Sequence, residues 1–472
     1  MAATLAATDD ALMSTPSSPS RRDFLATTSR FAAASALVGP AFAGVHVGGR
    51  ERIRVALVGC GGRGGGAATN ALAVPGEHVE IVAAADVFAG KPAAVVEALQ
   101  EQFGARVDVP KDRQFVGFDA YRGAMDCLRP GDVVVLTTPP AFRWVHFAYA
   151  IEKGLNVFME KPVSVDGPSS KRMLALNEKA KAKGLKVGVG LMSRHNHGMQ
   201  ELKRRVDDGE LGEILVMRGY RMHGPAAFFR SLKKPDGISE VMYQIQRFHS
   251  FLWASGGNFS DFNIHIIDHL CWMKGAFPKW AQGVGGRHYR EGKEGLYVDQ
   301  NFDSYGVEYT FDDGTKLFFD GRCIEGCDTN YASYAHGTKG VAVVSANGDC
   351  GLPSRIYRGQ RMDPANMQWE SNVPKPDQDP YQNEWNVLIA AIREDRPYNE
   401  ADAGVMTSLV TAMGRAAAHT GQEITLQQML DGGQEFAPGV DTLTMDGPAP
   451  VLAGPDGRYP TPMPGQKGLR EY

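Results

Sequence analysis

Six cysteines in 472 residues are too few and too scattered for a disulfide framework. Cys60, Cys127, Cys271, Cys323, Cys327 and Cys350 follow no stapling pattern. Cys323 and Cys327 lack the second pair that a zinc ribbon needs, so ordinary buried thiols are the expectation there and no metal is expected. An excess of one charge is also missing. Lys and Arg total 50 against 54 Asp and Glu, spread along the chain, with no basic stripe for nucleic acid and no polybasic run for a membrane surface. Past residue 43 no apolar run reaches the roughly 18 residues of a membrane span. A hydrophobic content of 43% still suffices to bury ordinary cores, and the length suits roughly two or three domains.

Residues 1–43 read as an address. Ser20-Arg21-Arg22-Asp23-Phe24-Leu25 opens a mild apolar stretch that runs to Val38, interrupted by Arg30, and Ala41-Phe42-Ala43 follows with small residues where a signal peptidase reads. This order resembles a twin-arginine export signal, which implies a periplasmic mature protein exported folded, with thiols kept reduced during folding.

The next segment carries a nucleotide fingerprint. Arg54–Val58 is a short β-prone run that leads into Gly59-Cys60-Gly61-Gly62-Arg63-Gly64, and a helix-compatible stretch continues to Leu72. In Gly-x-Gly-x-x-Gly the first glycine turns the chain, the second admits a pyrophosphate and the third lets helix pack on strand. With 55 glycines in the chain the pattern alone is weak, but its context is right. A second strand, Val79–Ala85, ends on Asp86, an acid placed to accept from an adenosine ribose. Asp86 favours NAD, while Arg63 and Lys91 leave NADP open. Asp132–Leu136 reads as a buried parallel strand and ends at Thr137-Thr138-Pro139-Pro140. Asn156–Met159 runs into Glu160-Lys161-Pro162, a helix is expected from about Lys171 to Lys183, and Leu185–Leu191 makes a further strand. Alternating strands and helices predict a doubly wound parallel sheet, with Gly59, Gly61, Gly62, Arg63, Gly64, Asp86, Thr137, Thr138, Pro139, Glu160 and Lys161 at its cofactor edge. His146 is expected to pack or cap.

Glu160-Lys161-Pro162, followed later by Gly256-Gly257-Asn258-Phe259-Ser260-Asp261-Phe262-Asn263-Ile264-His265, resembles the two site motifs of the Gfo/Idh/MocA oxidoreductases, and the likeness runs from about Arg52 to about Leu430. The resemblance implies an α/β Rossmann domain over 52–192, then an α+β domain over 193–430 with a large, open, mostly antiparallel sheet. Consistent with that, Glu213–Arg221 reads as a strand, and Tyr305–Phe311 and Lys316–Phe319 flank the turn Asp312-Asp313-Gly314. Trp385, Leu388, Ile389 and Ile392 fall at helical spacing and read as core. The Pro/Gly-rich stretch 431–472 is expected to form a tail on the surface or on a partner subunit of a homo-oligomer.

By the same resemblance, Lys161, Asp261 and His265 are the catalytic candidates. If Gly256-Gly257 starts a helix, Asp261 and His265 share one face, and the acid raises the basicity of the imidazole. A His near neutrality can take a hydroxyl proton while hydride leaves carbon, and Lys161 can stabilise the oxygen. A shared face with His269 also suggests metal ligation, but no recognised ligand spacing supports it. Arg194 and His195, at the end of the Rossmann segment, are expected to donate to substrate or to pin the hinge between the domains. The implied activity is a sugar or polyol oxidoreductase with tightly bound NAD. The alternatives are a glycosidase of the same superfamily, which oxidises a sugar transiently, eliminates the glycosidic bond and returns the hydride, and a non-catalytic dinucleotide-binding subunit.

Overall fold

Each short apolar run of the first half becomes a strand in the computed structural model, which describes residues 52–472. The segment read as an export signal, residues 1–43, lies outside the described residues. β1 (Ile53–Val58), β2 (Val79–Asp86), β3 (Gln114–Val116), β4 (Val133–Leu136), β5 (Asn156–Met159) and β6 (Val187–Val189) form one sheet in the order β3-β2-β1-β4-β5-β6. Every pairing in it is parallel. Helices α1 (Gly62–Leu72), α2 (Lys91–Phe103), α3 (Ala120–Asp126), α4 (Arg143–Glu152) and α5 (Gly167–Ala182) provide the crossovers. Both faces are covered, which is why β4 and β5 are buried along their whole length and read as unbroken apolar runs. Strand order reverses between β1 and β4, and a crevice opens there at the carboxyl ends of the strands.

Helix α5 starts four residues before the position read from spacing. Asp166 caps it, accepting from the Ser169 N–H at 2.8 Å, and Pro168 sits in its first turn.

After α6 (His197–Asp207), β7 (Ile214–His223) opens a second sheet. The chain then runs through α7 (Glu240–Gln246), α8 (Leu252–Ser255), α9 (Gly257–Phe262) and α10 (Ile264–Lys274). Strands β8 (Trp280–Gly286), β9 (Glu291–Gly292), β10 (Gly295–Leu296), β11 (Ser304–Thr310), β12 (Lys316–Cys323), β13 (Ser333–Gly337), β14 (Gly340–Ser345), β15 (Arg355–Arg358) and β16 (Met367–Glu370) follow. Finally come α11 (Pro380–Arg393), α12 (Ala401–Thr420), β17 (Ile424–Thr425) and α13 (Leu426–Gly432). Nine of these strands form one sheet, β16-β15-β14-β13-β7-β12-β11-β8-β17, antiparallel except where β7 meets β12. The expected hairpin is present, with Thr310 opposite Lys316. Helices α10 and α12 pack on one face of this sheet. Gly219 in β7 permits the close approach, since a Cβ there would lie 3.1 Å from the Leu270 side chain and 3.3 Å from Phe319.

One domain boundary needs correction. Trp385, Leu388, Ile389 and Ile392 are core, but core of the first sheet: Trp385 stacks on Phe158 of β5 with ring centroids 4.5 Å apart. Helix α11 therefore returns to the Rossmann domain, and position 193 is not a clean boundary. The C-terminal stretch docks on the chain itself. Tyr459 packs edge-on to Phe251, the Val451 carbonyl accepts from Gln244 at 2.7 Å, and the Pro460 carbonyl accepts from Gln300 at 2.6 Å. Buried polar groups make these bonds, so the extended backbone is held by unmet acceptors rather than by apolar area alone. The cysteines divide as well: Cys323 is buried, whereas Cys327 is exposed.

Candidate active site

The turn after β1 is shaped by its glycines. Gly59 has φ +102, a conformation that other residues rarely adopt, and a Cβ there would lie 2.7 Å from Thr137 Oγ1. A Cβ on Gly64 would overlap the Gly59 carbonyl oxygen, so α1 can meet β1 only without a side chain at that position. Gly61 and Gly62 behave differently: an added Cβ would meet nothing within 4 Å. That open space lies at the N-terminus of α1, where no side chain caps the free N–H groups. Thr137 Oγ1 donates to the Gly59 carbonyl at 2.7 Å and fixes the turn against β4.

Asp86, at the end of β2, accepts from Cys60 N–H at 2.7 Å and from Phe88 N–H at 2.9 Å. Both backbone bonds hold the carboxylate at the mouth of a cavity of about 610 Å³. Gly59, Gly61, Asp86, Thr137, Thr138 and Pro139 line one wall; Phe228, Ile245, Gln246 and Phe248, from the second half of the chain, line the other. His146 also lines the cavity, with Nδ1 3.1 Å from Thr138 Oγ1; burial first, then Arg143, lowers its pKa to about 3 and keeps it neutral. Open volume, bare glycines, free helix N–H groups and an acid at the second strand end together fit a dinucleotide.

Arg63 points elsewhere. Its guanidinium pairs with Glu160, lies 3.5 Å from Glu384 and stacks on the Tyr381 ring at 4.5 Å. It braces α1 against α11 and is not aimed at a ribose phosphate. Burial, reinforced by Glu160, drives the Glu384 carboxyl well above its usual range. Nothing in the local sequence signals Tyr381 or Glu384, because both arrive on a helix some three hundred residues downstream.

The reacting edge forms where β5 meets α9 and α10. Lys161 Nζ donates to the Asp261 backbone carbonyl at 2.7 Å. The Asp261 carboxylate turns to His249, whose Nε2 lies 3.1 Å from Oδ2. Burial alone would raise this acid, but the Lys161 ammonium first, then His249, outweigh it and hold the pKa at about 2. Asp261 and His265 do not share one helix: α9 ends at Phe262, Asn263 intervenes, and His265 belongs to α10. The expectation of an acid that raises the imidazole's basicity is overridden by depth. Burial dominates at His265 and, despite Asp349, lowers its pKa to about 3, so the ring is neutral. Its Nδ1 is buried and has no hydrogen-bond partner.

Around these three stand groups that sequence reasoning missed. Arg221, at the end of β7, donates to the Phe262 carbonyl and lies 3.3 Å from Asp349 Oδ1, which also accepts from the Tyr331 hydroxyl. No motif marks His249, Arg221, Tyr331 or Asp349; they converge only through the sheet. Arg194 and His195 are committed to protein partners: Arg194 forms a fork on Asp268 at 2.7–3.2 Å, and His195 Nε2 lies 2.8 Å from Glu400. Of their two expected roles, these bonds serve the hinge. His269 meets Ser333 Oγ at 2.7 Å on the sheet face. Among the described residues no group of three or more His, Cys, Asp or Glu side chains could hold a metal ion.

Residues 53–191 match the family described as "Oxidoreductase family, NAD-binding Rossmann fold". Over 237 residues the chain is 29% identical to scyllo-inositol 2-dehydrogenase (NAD(+)) of Bacillus subtilis, covering 50% of this chain and 58% of that enzyme. The chain thus spans little more than half the length of this curated relative. The fold is similar to the Lactobacillus casei scyllo-inositol dehydrogenase solved with NAD(H) and scyllo-inositol, with a TM-score of 0.56 at 18% identity over 80% of this chain and 99% of that one. It is similar too to a levoglucosan dehydrogenase solved with NADH and levoglucosan, with a TM-score of 0.61 at 18% identity over 80% of this chain and all of the other.

The contrast between the glycines is testable. Gly61→Ala is expected to fold with an unchanged melting temperature and to bind NAD at least about tenfold more weakly, because the methyl fills the phosphate cradle. Gly64→Ala is expected to lose both stability and binding. Calorimetric NAD titration beside thermal melting checks the pair, and full NAD affinity in Gly61→Ala would count against this cradle.

Proposed function

From the match of residues 53–191 to an NAD-binding Rossmann model of this oxidoreductase family, we propose that the chain belongs to the Gfo/Idh/MocA oxidoreductases and is an NAD-dependent enzyme that oxidises a hydroxyl of a sugar or polyol. The observation that carries this reading is the meeting of Lys161, Asp261 and His265 at the carboxyl edge of the first sheet, joined to the wall of the dinucleotide cavity through His249, whose ring lies against Phe228 and Phe248. The names of the relatives, inositol and levoglucosan dehydrogenases, support the substrate class.

A nicotinamide, when held in the crevice, would supply an acceptor for the hydride that leaves the hydroxyl-bearing carbon. The protein's own groups handle the oxygen and its proton. Neutral His265 has a free ring nitrogen and can take the proton; a ring already charged could not. The Lys161 ammonium, anchored on the Asp261 carbonyl, keeps further N–H donors for the oxygen as negative charge gathers on it. The ionised Asp261 carboxylate orients His249. At Asp86 the carboxylate suits ribose hydroxyls and repels a 2′-phosphate, and with Arg63 occupied by Glu160 this favours NAD.

The activity test uses scyllo-inositol, levoglucosan and a panel of related polyols, with reduction of added or endogenous NAD followed by absorbance. Lys161→Ala and His265→Ala are expected to keep their melting temperature and NAD affinity and to lose about 10²–10⁴ in turnover. Near-normal turnover in both variants on a substrate of the wild type removes these residues from the chemistry.

The reading extends to place. The twin-arginine resemblance of residues 20–43 supports export, and a compartment poor in free nicotinamide favours a cofactor loaded beforehand. The wall formed by Phe228, Ile245, Gln246 and Phe248, braced by the C-terminal stretch, supports slow release. The periplasmic enzyme is expected to be processed after Ala43 and to show dinucleotide absorbance, and lysine at both Arg21 and Arg22 is expected to strand it in the cytoplasm. Equal export of that double variant contradicts the signal, and a cofactor-free periplasmic enzyme contradicts the retention.

A further inference from the structure

The last residues of the chain reach the interior beside the reacting edge. Arg415, on α12, has no exposed side-chain surface, and neither has His419 one turn further on. A guanidinium carries five N–H donors, and in Arg415 each has an acceptor. Nε donates to Glu471 Oε2 at 2.9 Å and Nη2 to Glu471 Oε1 at 2.9 Å. Nη1 donates to the Gly256 carbonyl at 3.1 Å and to Ser260 Oγ at 2.8 Å, and Nη2 donates to the Val165 carbonyl at 3.0 Å. Gly256 is the N-cap of α9, Ser260 directly precedes Asp261, and Val165 lies on the segment that leaves Lys161. One planar group thus ties together the two chain segments whose meeting makes the Lys161–Asp261 bond.

Glu471 is what fixes its orientation. The carboxylate takes two parallel N–H bonds from the fork, a geometry that only one rotation of the guanidinium satisfies. Its Oε2 also meets His419 Nδ1 at 2.7 Å, and His419 Nε2 meets the Tyr305 hydroxyl at 2.8 Å. The Tyr305 proton and a neutral His419 give this chain one consistent direction: Tyr305 donates to His419, and His419 donates to Glu471. Burial lowers the pKa of His419, which agrees with the neutral ring. Burial alone would raise the Glu471 carboxyl, but Arg415 and His419 hold it at about 2, so the ion pair persists across the working pH range.

We propose that Glu471 is a positioning residue for the reaction: by orienting Arg415, the C-terminal end of the chain sets α9 against the Lys161–Val165 segment and so fixes the distance from the Lys161 ammonium to Asp261. Without the carboxylate, two donors and a buried charge are left uncompensated, and the fork turns away from Gly256, Ser260 and Val165 in search of another acceptor. The activity consequence rests on the oxidoreductase reading above; the mechanical consequence does not.

The decisive variant is Arg415→Met with Glu471→Met, which removes both charges, leaves no orphaned ion and deletes the three bonds to the site segments. Deuterium exchange of residues 257–262 is measured first, with no substrate present. The expected result is exchange about tenfold faster than in wild type, with residues 53–72 unchanged. Turnover on whichever polyol the wild type oxidises is expected to fall about 10²-fold in kcat, with NAD affinity by calorimetry unaltered, because misplacement near the chemistry is costly while the nucleotide crevice is untouched. Should the double variant not fold, Glu471→Gln, which keeps the volume and loses the charge, carries the same readings. Wild-type exchange over 257–262 together with wild-type kcat in a folded variant overturns the proposal. A wild-type enzyme that oxidises no polyol or sugar overturns the functional reading instead, and the exchange measurement still decides the clasp.

Discussion

The hydrogen bond from the Lys161 ammonium to the Asp261 carbonyl joins the carboxyl edge of one sheet to a helix laid on another. A lysine at the end of β5 has no local reason to be ordered. It is ordered here because α9 brings a backbone acceptor to it, and α9 is in place only because α10 and α12 pack on the nine-stranded sheet and Arg415 grips both sides of the junction. The second domain therefore acts on the first. It converts a flexible cation into a placed one, and it surrounds that cation with a buried, ionised Asp261 and a neutral His265.

Burial sets the sign of each group's contribution. Where an opposite charge is close, as at Asp261 and Glu471, attraction outweighs desolvation and the carboxylates stay ionised. Where the compensation is weaker, as at His265, His146 and His269, desolvation wins and the rings stay neutral. A proton acceptor beside a held cation is what hydroxyl oxidation asks of a protein, and the site reaches that state without any imidazole tuned near neutrality. The expectation of a basic His265 drew on sequence adjacency to Asp261, whereas the actual environment is set by depth in the fold.

What was legible in the sequence was what short-range geometry controls. Gly59 and Gly64 are required by a turn and a close helix contact that six residues specify, and Asp86 follows from the length of one βα unit. Continuous apolar runs announced β4 and β5 because both faces are covered. The direction of Arg63 was not legible, since Tyr381 and Glu384 reach it from a distant helix. His249, Arg221 and Asp349 were invisible for the same reason: their neighbours are set by tertiary packing. At the C-terminus six prolines from Asp446 onward marked an extended segment but not where it docks. Proline disfavours helix and sheet interiors without preventing an extended segment from docking through side chains such as Tyr459 and Glu471.

The central claim is that this site moves a hydride from a hydroxyl-bearing carbon to a bound nicotinamide. A polyol that the enzyme turns over, deuterated at that carbon, tests it most directly, with mass spectrometry of the dinucleotide after a single turnover. The account predicts deuterium on the reduced nicotinamide and a slower single turnover than with the protiated polyol. A dinucleotide that stays oxidised and unlabelled while product forms would contradict it.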